Sequence, residues 1–193
     1  MKKIALILAA LVMGLSSYAQ STWAIDGSHS TVGFSIVHLV ITEVNGTFGK
    51  YDGKLVTSKD DFSDASIDFK IDVASISTGN GQRDGHLKSG DFFDAEKFPS
   101  ITFKGKSLTK VEGNKYKLVG DLTMKGVTKE VTLDTKYTGT VVGAYGKTRA
   151  GFKITGELDR FDYGLKWDAA TEAGNLVVSK EVELDINIQL VKQ

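Results

Sequence analysis

The sequence has no cysteine and only one proline in 193 residues. Without cysteine the chain has no disulfide, no thiol nucleophile and no thiolate metal site, so its fold depends on the core alone. The near absence of proline beside 21 glycines is typical of twisted strands joined by tight turns rather than of a disordered chain.

Neither sign of charge is in excess, because 24 basic residues balance 24 acidic ones. The basic residues form no block or stripe, which argues against nucleic acid or an anionic membrane surface as the main partner. Beyond the N terminus no long stretch is uniformly apolar, so we expect no stable membrane insertion.

The N terminus has the pattern of an export signal. Lys2 and Lys3 precede an apolar run that ends at Leu15, and a small-x-Ala pattern ends at Ala19. We predict that residues 1–19 are a signal peptide cleaved after Ala19 and that the protein is periplasmic. Residues 20–193 are enough for one domain with a substantial core.

Apolar and polar residues alternate with period two through most of the remaining chain. The pattern is clearest where Ile67, Phe69 and Ile71 alternate with charged residues. About eight such strands, joined by short turns, predict an antiparallel sheet with one apolar face. We expect an all-β, eight-stranded antiparallel barrel closed by its first and last strands, since closure removes exposed edges. A two-sheet sandwich is the alternative.

One segment, which ends at the only proline, interrupts this alternation. Asn80 is predicted to cap a short helix that ends at Gly90, and Asp91 to cap a second helical turn through Phe92–Lys97. Pro99 then blocks further helix and favours a return to extended chain. We predict a short helical insertion that covers one end of the barrel.

No residue pattern indicates catalysis. The sequence lacks a Gly-x-Ser-x-Gly motif, and the tripeptide Ser28-His29-Ser30 alone is a weak signal. The three histidines, which include His38 and His86, lack the spacing of zinc ligands. We therefore predict no enzyme, no cofactor and no metal. A metal-dependent hydrolase that uses the histidines is kept as the weakest of three functional hypotheses, after the two given below.

The inward-facing positions carry more aromatic and aliphatic residues than a compact core requires. A buried methylene-sized group contributes about 0.8 kcal/mol, so a few isoprene units would suffice for micromolar binding. The interior is therefore predicted to hold a lipid tail, with an ordinary packed core as the alternative. The predicted ligand-binding residues are Phe34, Ile36, His38, Phe69, Ile71, Phe92, Phe93, Phe103, Leu122, Phe152, Trp167 and Ile186. The predicted head-group contacts are Arg83, His86 and Lys88.

Several motifs occur in a fixed order along nearly the whole domain. They include Trp23-Ala24-Ile25-Asp26, His86-Leu87-Lys88-Ser89, Asp91-Phe92-Phe93-Asp94-Ala95, Phe98-Pro99-Ser100-Ile101-Thr102-Phe103 and Asp159-Arg160-Phe161-Asp162-Tyr163-Gly164. Through these motifs the chain resembles the YceI-like family of exported, lipocalin-like polyisoprenoid-binding proteins. The resemblance implies an eight-stranded barrel with a long apolar cavity, and neither a cofactor nor catalytic residues.

We therefore expect a non-catalytic, periplasmic binding or carrier protein. Its ligand would be a polyisoprenoid or a similar long-chain lipid, including a quinone-like or fatty-acyl lipid, held in the barrel interior. The alternative is a filled barrel that serves as a structural or stress-related interaction protein without a lipid. The sequence does not decide whether the protein is a monomer or a homodimer.

Overall fold

The computed structural model describes residues 20–172 and 174–193. The predicted signal peptide lies outside the described residues, so its cleavage after Ala19 stays a prediction. The described chain forms eleven strands, one α-helix (α1, Gly81–Lys88) and short 3₁₀ turns. The strands are β1 (Ser21–Ile25), β2 (Thr31–His38), β3 (Thr42–Phe48), β4 (Tyr51–Thr57), β5 (Ser66–Asp72), β6 (Ile76–Ser77), β7 (Ser100–Glu112), β8 (Lys115–Met124), β9 (Val127–Val142), β10 (Thr148–Asp159) and β11 (Val178–Lys192).

The strands form one closed antiparallel barrel. Strands β1, β4, β5, β7, β8, β9, β10 and β11 hydrogen-bond in that order, and β1 pairs again with β11. The register of this closing pair places Ile25 opposite Leu190. The predicted eight-stranded barrel is confirmed, as is its closure by the first and last strands, and the sandwich alternative is wrong.

Three positions in the barrel wall are each occupied by two short strands. Strand β11 pairs with β1 at one end and with β2 further along. In the same way β4 pairs with β1 while β3 pairs with β2, and β5 pairs with β4 while β6 pairs with β3. Two of the breaks contain 3₁₀ turns, Gly27–His29 and Val73–Ser75. The order of neighbouring strands is therefore the same on both sides of these breaks.

The alternation of the sequence separates the two faces of the wall. In the β8–β9 hairpin Leu118 lies opposite Leu133, and both are buried. On the outer face of the same hairpin, Lys117 Nζ lies 2.6 Å from a carboxylate oxygen of Asp134. Such exposed ion pairs contribute little stability, so the inward apolar face dominates the energetics.

The end of the barrel near Ser21 and Gln193 is closed by an aromatic plug, the four residues Phe62, Trp23, Tyr137 and Phe152. Phe62 lies in the β4–β5 loop and is 2% exposed. Its ring centroid lies 5.3 Å from that of Trp23, 5.2 Å from that of Phe152 and 5.7 Å from that of Tyr137. The alternation of strands gave no sign of this residue, because Phe62 enters the barrel from a loop.

Asp26 joins the break between β1 and β2 to β11. Its carboxylate accepts hydrogen bonds from Ser28 Oγ at 2.6 Å and from Gln189 Nε2 at 2.9 Å, and it lies 3.0 Å from His29 Nδ1. These bonds, that from Ser28 above all, lower the pKa of Asp26 to about 2. The ionised carboxylate is therefore part of the folded structure.

The insertion between β6 and β7 covers the other end of the barrel. Asn80 caps α1 as predicted, since its side-chain oxygen accepts the Arg83 N–H at 3.1 Å. The helix has eight residues and ends at Lys88. Among the described residues, no helix is long and apolar enough to span a bilayer.

No helix forms between α1 and β7, and the predicted second helical turn through Phe92–Lys97 is reduced to one hydrogen-bonded turn, in which the Lys97 and Phe98 N–H groups donate to the Asp94 carbonyl at 3.0 and 2.8 Å. The chain folds back on the end of α1, where the Phe93 N–H donates to the Leu87 carbonyl at 3.0 Å. Asp94 adopts a left-handed φ of 51°. The carboxylate of Asp91 lies 2.9 Å from His86 Nε2 and caps no helix. Contacts with α1 therefore fix the first part of the segment, and a local turn is kept only at residues 94–98.

We predict that Asp26→Ala lowers the free energy of unfolding by about 1–2 kcal/mol near neutral pH, because it removes hydrogen bonds to a charged group. Folding lowers the pKa of Asp26 from 3.8 to about 2. The stabilisation is therefore present above pH 3.8 and is lost as the pH falls towards 2. Urea unfolding across this range should show the two proteins converging.

Asp52→Ala is the control for this experiment, because Asp52 is exposed on β4. It should change the free energy of unfolding by less than about 0.5 kcal/mol at every pH. A constant difference between Asp26→Ala and the unmodified protein down to pH 2 would contradict the assignment.

Candidate functional site

The barrel interior contains two adjoining chambers. The inner chamber has a volume of about 160 Å³, and the outer chamber, beneath the insertion, has a volume of about 280 Å³. Folded cores contain few voids larger than a water molecule, so this interior is not filled by its own side chains. The two chambers have six lining residues in common, namely Phe34, Phe48, Ile101, Met124, Leu158 and Leu184. These shared residues place the two chambers side by side along the barrel interior.

The inner chamber is lined almost entirely by apolar side chains from the strands. Seven of the predicted ligand-binding residues line it, namely Phe34, Phe69, Ile71, Phe103, Leu122, Phe152 and Ile186. Strand register explains the grouping, because Phe69 lies opposite Phe103, which in turn lies opposite Leu122. The structure thus brings these residues together around one space. Their role as ligand contacts stays a prediction.

Glycines opposite two aromatic rings help to keep the inner chamber open. A Cβ atom at Gly120 would lie 2.3 Å from Cζ of Phe103, and one at Gly46 would lie 2.2 Å from Cζ of Phe34. The rings therefore occupy wall space that any larger residue would fill. Because they lie against the neighbouring strand, the centre of the barrel stays free.

Thr135 places a polar atom in this apolar surrounding. The residue lines the inner chamber and is 4% exposed. Its Oγ1 has no hydrogen-bond partner among the described residues. A buried hydroxyl without a partner is destabilising. Sequence reasoning missed Thr135, because a threonine in a strand is ordinary.

The outer chamber combines apolar walls with polar and charged side chains. Seven further predicted residues line it, namely Ile36, His38, Arg83, His86, Phe92, Phe93 and Trp167. Lys88 is half-buried on α1 but lines neither chamber. The structure therefore brings together two of the three predicted head-group residues.

Three ring side chains, His86, Phe92 and Trp167, meet at the insertion and form what we call the mouth cluster. The His86 ring centroid lies 5.1 Å from that of Phe92 and 5.6 Å from that of Trp167, and both pairs are T-shaped. The Phe92 and Trp167 centroids are 5.5 Å apart. Asp91, in contact with His86 Nε2, fixes the orientation of the imidazole. Residues distant in the sequence thus form the aromatic border of the outer chamber.

Arg160 introduces a cation into the wall of the outer chamber, and the sequence analysis missed it. The residue is 4% exposed and follows β10 in a short 3₁₀ turn. Its guanidinium donates hydrogen bonds to the backbone carbonyls of Ser179 at 2.9 Å, Val178 at 3.1 Å and Leu165. The guanidinium carbon also lies 4.5 Å from the ring centroid of Phe161. Burial lowers the pKa of Arg160, although an arginine remains charged at neutral pH.

Tyr163 lies in the same turn and lines the outer chamber. It is 2% exposed, and its hydroxyl has no hydrogen-bond partner among the described residues. Burial, with a smaller effect from Asp162, raises the pKa of Tyr163 to about 12. The phenol therefore stays protonated and can donate a hydrogen bond to a ligand. Tyr163 belongs to the motif Asp159-Arg160-Phe161-Asp162-Tyr163-Gly164. Because this stretch has no apolar alternation, the sequence did not indicate that the Tyr163 side chain faces the interior.

The histidines do not form one site. His38 and His86 line the outer chamber, whereas His29 contacts Asp26 beside the break between β1 and β2. In the part of the chain that the structure describes, no three histidine, aspartate or glutamate side chains come together as a set of metal ligands.

Comparison with known proteins gives consistent matches. A sequence model of the YceI-like domain matches residues 23–190. A UPF0312 protein of Staphylococcus aureus is 36% identical over 170 residues, which cover 88% of this chain and 96% of the relative. The crystal structure of the Campylobacter jejuni YceI protein is 34% identical, with a TM-score of 0.70 over 87% of this chain and 96% of the other.

A more distant structural match carries a description of its ligand. It is the structure of a polyisoprenoid-binding domain from Saccharophagus degradans implicated in plant cell wall breakdown. It is 15% identical, with a TM-score of 0.65 over 89% of this chain and 98% of the other. At this identity the likeness is one of fold.

We predict that Thr135→Val stabilises the lipid-free protein by about 1–2 kcal/mol, because valine has nearly the same shape and removes a buried hydroxyl without a partner. Urea unfolding of protein stripped of lipid would measure this change. Thr132→Val, on the outer face of the same strand, is the matched control and should have little effect. A loss of stability in Thr135→Val would show that the hydroxyl has a partner in the folded protein.

Proposed function

Because the chain belongs to the YceI-like family, we propose that it is a non-catalytic binding or carrier protein for one polyisoprenoid or similar long-chain lipid. The single observation that carries this proposal is the pair of adjoining, largely apolar chambers inside the barrel, closed by the aromatic plug and bordered by polar groups at the opposite end. This polarity matches a molecule with an apolar tail and a polar head.

The tail would lie in the inner chamber. Its lining supplies aliphatic and aromatic contacts from nearly every strand of the wall, which suits a flexible hydrocarbon without polar groups. One isoprene unit of about five carbons gains up to roughly 4 kcal/mol on burial. Two units therefore reach, and three exceed, the roughly 8 kcal/mol of micromolar binding before ordering costs.

The head group would lie in the outer chamber. Arg83 and Arg160 offer positively charged donors, His86 offers a ring nitrogen, and Tyr163 offers a neutral hydroxyl. Such a set can hold a phosphate, a carboxylate or a quinone carbonyl, because each presents oxygen acceptors. Quinone-like and fatty-acyl lipids are therefore alternatives to an isoprenoid within the same space. We place the protein in the periplasm on its N-terminal pattern alone.

The description of the Saccharophagus degradans domain as polyisoprenoid-binding supports the same ligand class. A barrel without a ligand is the alternative function, and the open interior argues against it. No arrangement of residues described above favours catalysis.

We predict that the lipid-free protein binds isoprenoid alcohols one to one, with an affinity that rises with chain length until the chambers are full. Native mass spectrometry gives the stoichiometry. The protein has two tryptophans, so a Trp23→Phe background leaves Trp167 at the mouth as the fluorescent reporter of binding.

Phe69→Asp should reduce this binding by at least about 100-fold, since it places a carboxylate in the apolar chamber. Lys70→Asp, at the next residue and exposed on the outer face, is the matched control and should bind normally. Circular dichroism would show that both variants are folded. Unchanged loading of a folded Phe69→Asp protein would place the ligand elsewhere.

A further inference from the structure

The turn between β2 and β3 exposes three consecutive apolar residues. Leu39 is 40% exposed, Val40 is 64% exposed and Ile41 is 80% exposed. Val37, at the end of β2, adds a fourth exposed apolar side chain at 39%. We call residues 39–41 the apolar turn.

The backbone of this turn also disfavours the residues that occupy it. Leu39 has a φ of 53° and Val40 a φ of 65°, and the Ile41 N–H donates to the His38 carbonyl at 3.2 Å. Two consecutive left-handed residues in a hairpin turn suit Asn-Gly, because a Cβ atom, and a β-branched side chain above all, crowds the backbone. Solvent exposure and backbone conformation thus both oppose the apolar residues here. Residues held in an unfavourable backbone conformation are concentrated at functional sites of proteins.

The apolar turn borders the outer chamber. His38 and Val44, on either side of the turn, both line that chamber. The Leu39 N–H donates to the Val177 carbonyl at 2.8 Å, and Val177 lines the chamber as well. Trp167 of the mouth cluster lies on the same border. The exposed apolar surface is therefore continuous with the opening through which a lipid would enter.

A second exposed apolar turn lies at the opposite end of the barrel. It joins β9 to β10, with Val142 66% exposed and Tyr145 99% exposed. The strands that lead into it carry Tyr137 and Phe152 of the aromatic plug. Exposure alone therefore does not separate the two turns, but only the first adjoins the outer chamber.

We propose that the apolar turn inserts shallowly into the surface of a lipid bilayer and holds the outer chamber against it. This proposal rests on the proposed function, since a lipid carrier must exchange its cargo with a membrane. Three residues are far fewer than the roughly 20–30 that each partner contributes to a stable protein interface, whereas a few apolar side chains suffice for reversible contact with lipid. The exposed charges around the outer chamber have both signs, with Arg83 and Lys166 basic and Glu43 and Asp168 acidic. Docking should therefore depend little on anionic lipid or on salt.

The test uses phosphatidylcholine vesicles and the double variant Leu39→Asn/Val40→Gly. This pair suits the turn, so the variant should be at least as stable as the unmodified protein while it loses the apolar surface. We expect its vesicle binding, measured by flotation, to fall by at least about five-fold. The rate at which the variant takes up a fluorescent isoprenoid alcohol from the vesicles should fall by a similar factor. Binding of the same alcohol in solution, without vesicles, should not change.

Val142→Thr/Tyr145→Asn is the matched control, because it removes apolar surface from the turn at the plug end. It should leave vesicle binding unchanged. Flotation of lipid-free protein on vesicles without isoprenoid tests the docking separately, so a failure to bind isoprenoid in solution would count against the proposed function only. Unchanged flotation of Leu39→Asn/Val40→Gly would overturn the docking proposal. A change from dimer to monomer in that variant, with flotation unaltered, would assign the turn to a contact between two copies and would overturn it as well.

Discussion

The pairing of β1 with β11 is the constraint on which the rest of the structure depends. It turns an open sheet into a closed barrel and fixes the number of strands around the lumen at eight. A barrel of this size has an interior that side chains can fill or that can hold one small ligand. Here glycines behind Phe34 and Phe103 let the rings lie against the wall, and the interior stays open.

The two ends of the barrel have different chemistry, and this difference gives the interior a direction. One end is sealed by aromatic rings around Phe62, with little polarity for a ligand to meet. At the other end the insertion and the turn after β10 bring His86, Arg160 and Tyr163 to the chamber wall. In the proposed carrier, tail burial and head-group recognition would therefore depend on separate elements. A change at the mouth would then alter which head group is recognised and leave the tail space unchanged.

Periodicity in the sequence was sufficient to predict the barrel and its inward face, because in a strand every second side chain points to the same side. Phe69 and Ile186 line the chamber on this basis alone. Phe62 and Arg160 could not be found in this way, since each lies outside the strands and is placed by tertiary contacts. For the same reason the predicted second helical turn formed only at residues 94–98, because contacts with α1 decide the path of the residues before them.

The central claim is that the barrel interior is a binding space for lipid. The most direct measurement is native mass spectrometry of the protein purified from its own host, followed by organic extraction of what it carries. We expect one bound lipid per chain, with a long apolar tail and a polar head. A mass without ligand, together with no uptake of added isoprenoids, would contradict it and leave a barrel that is open but binds no lipid.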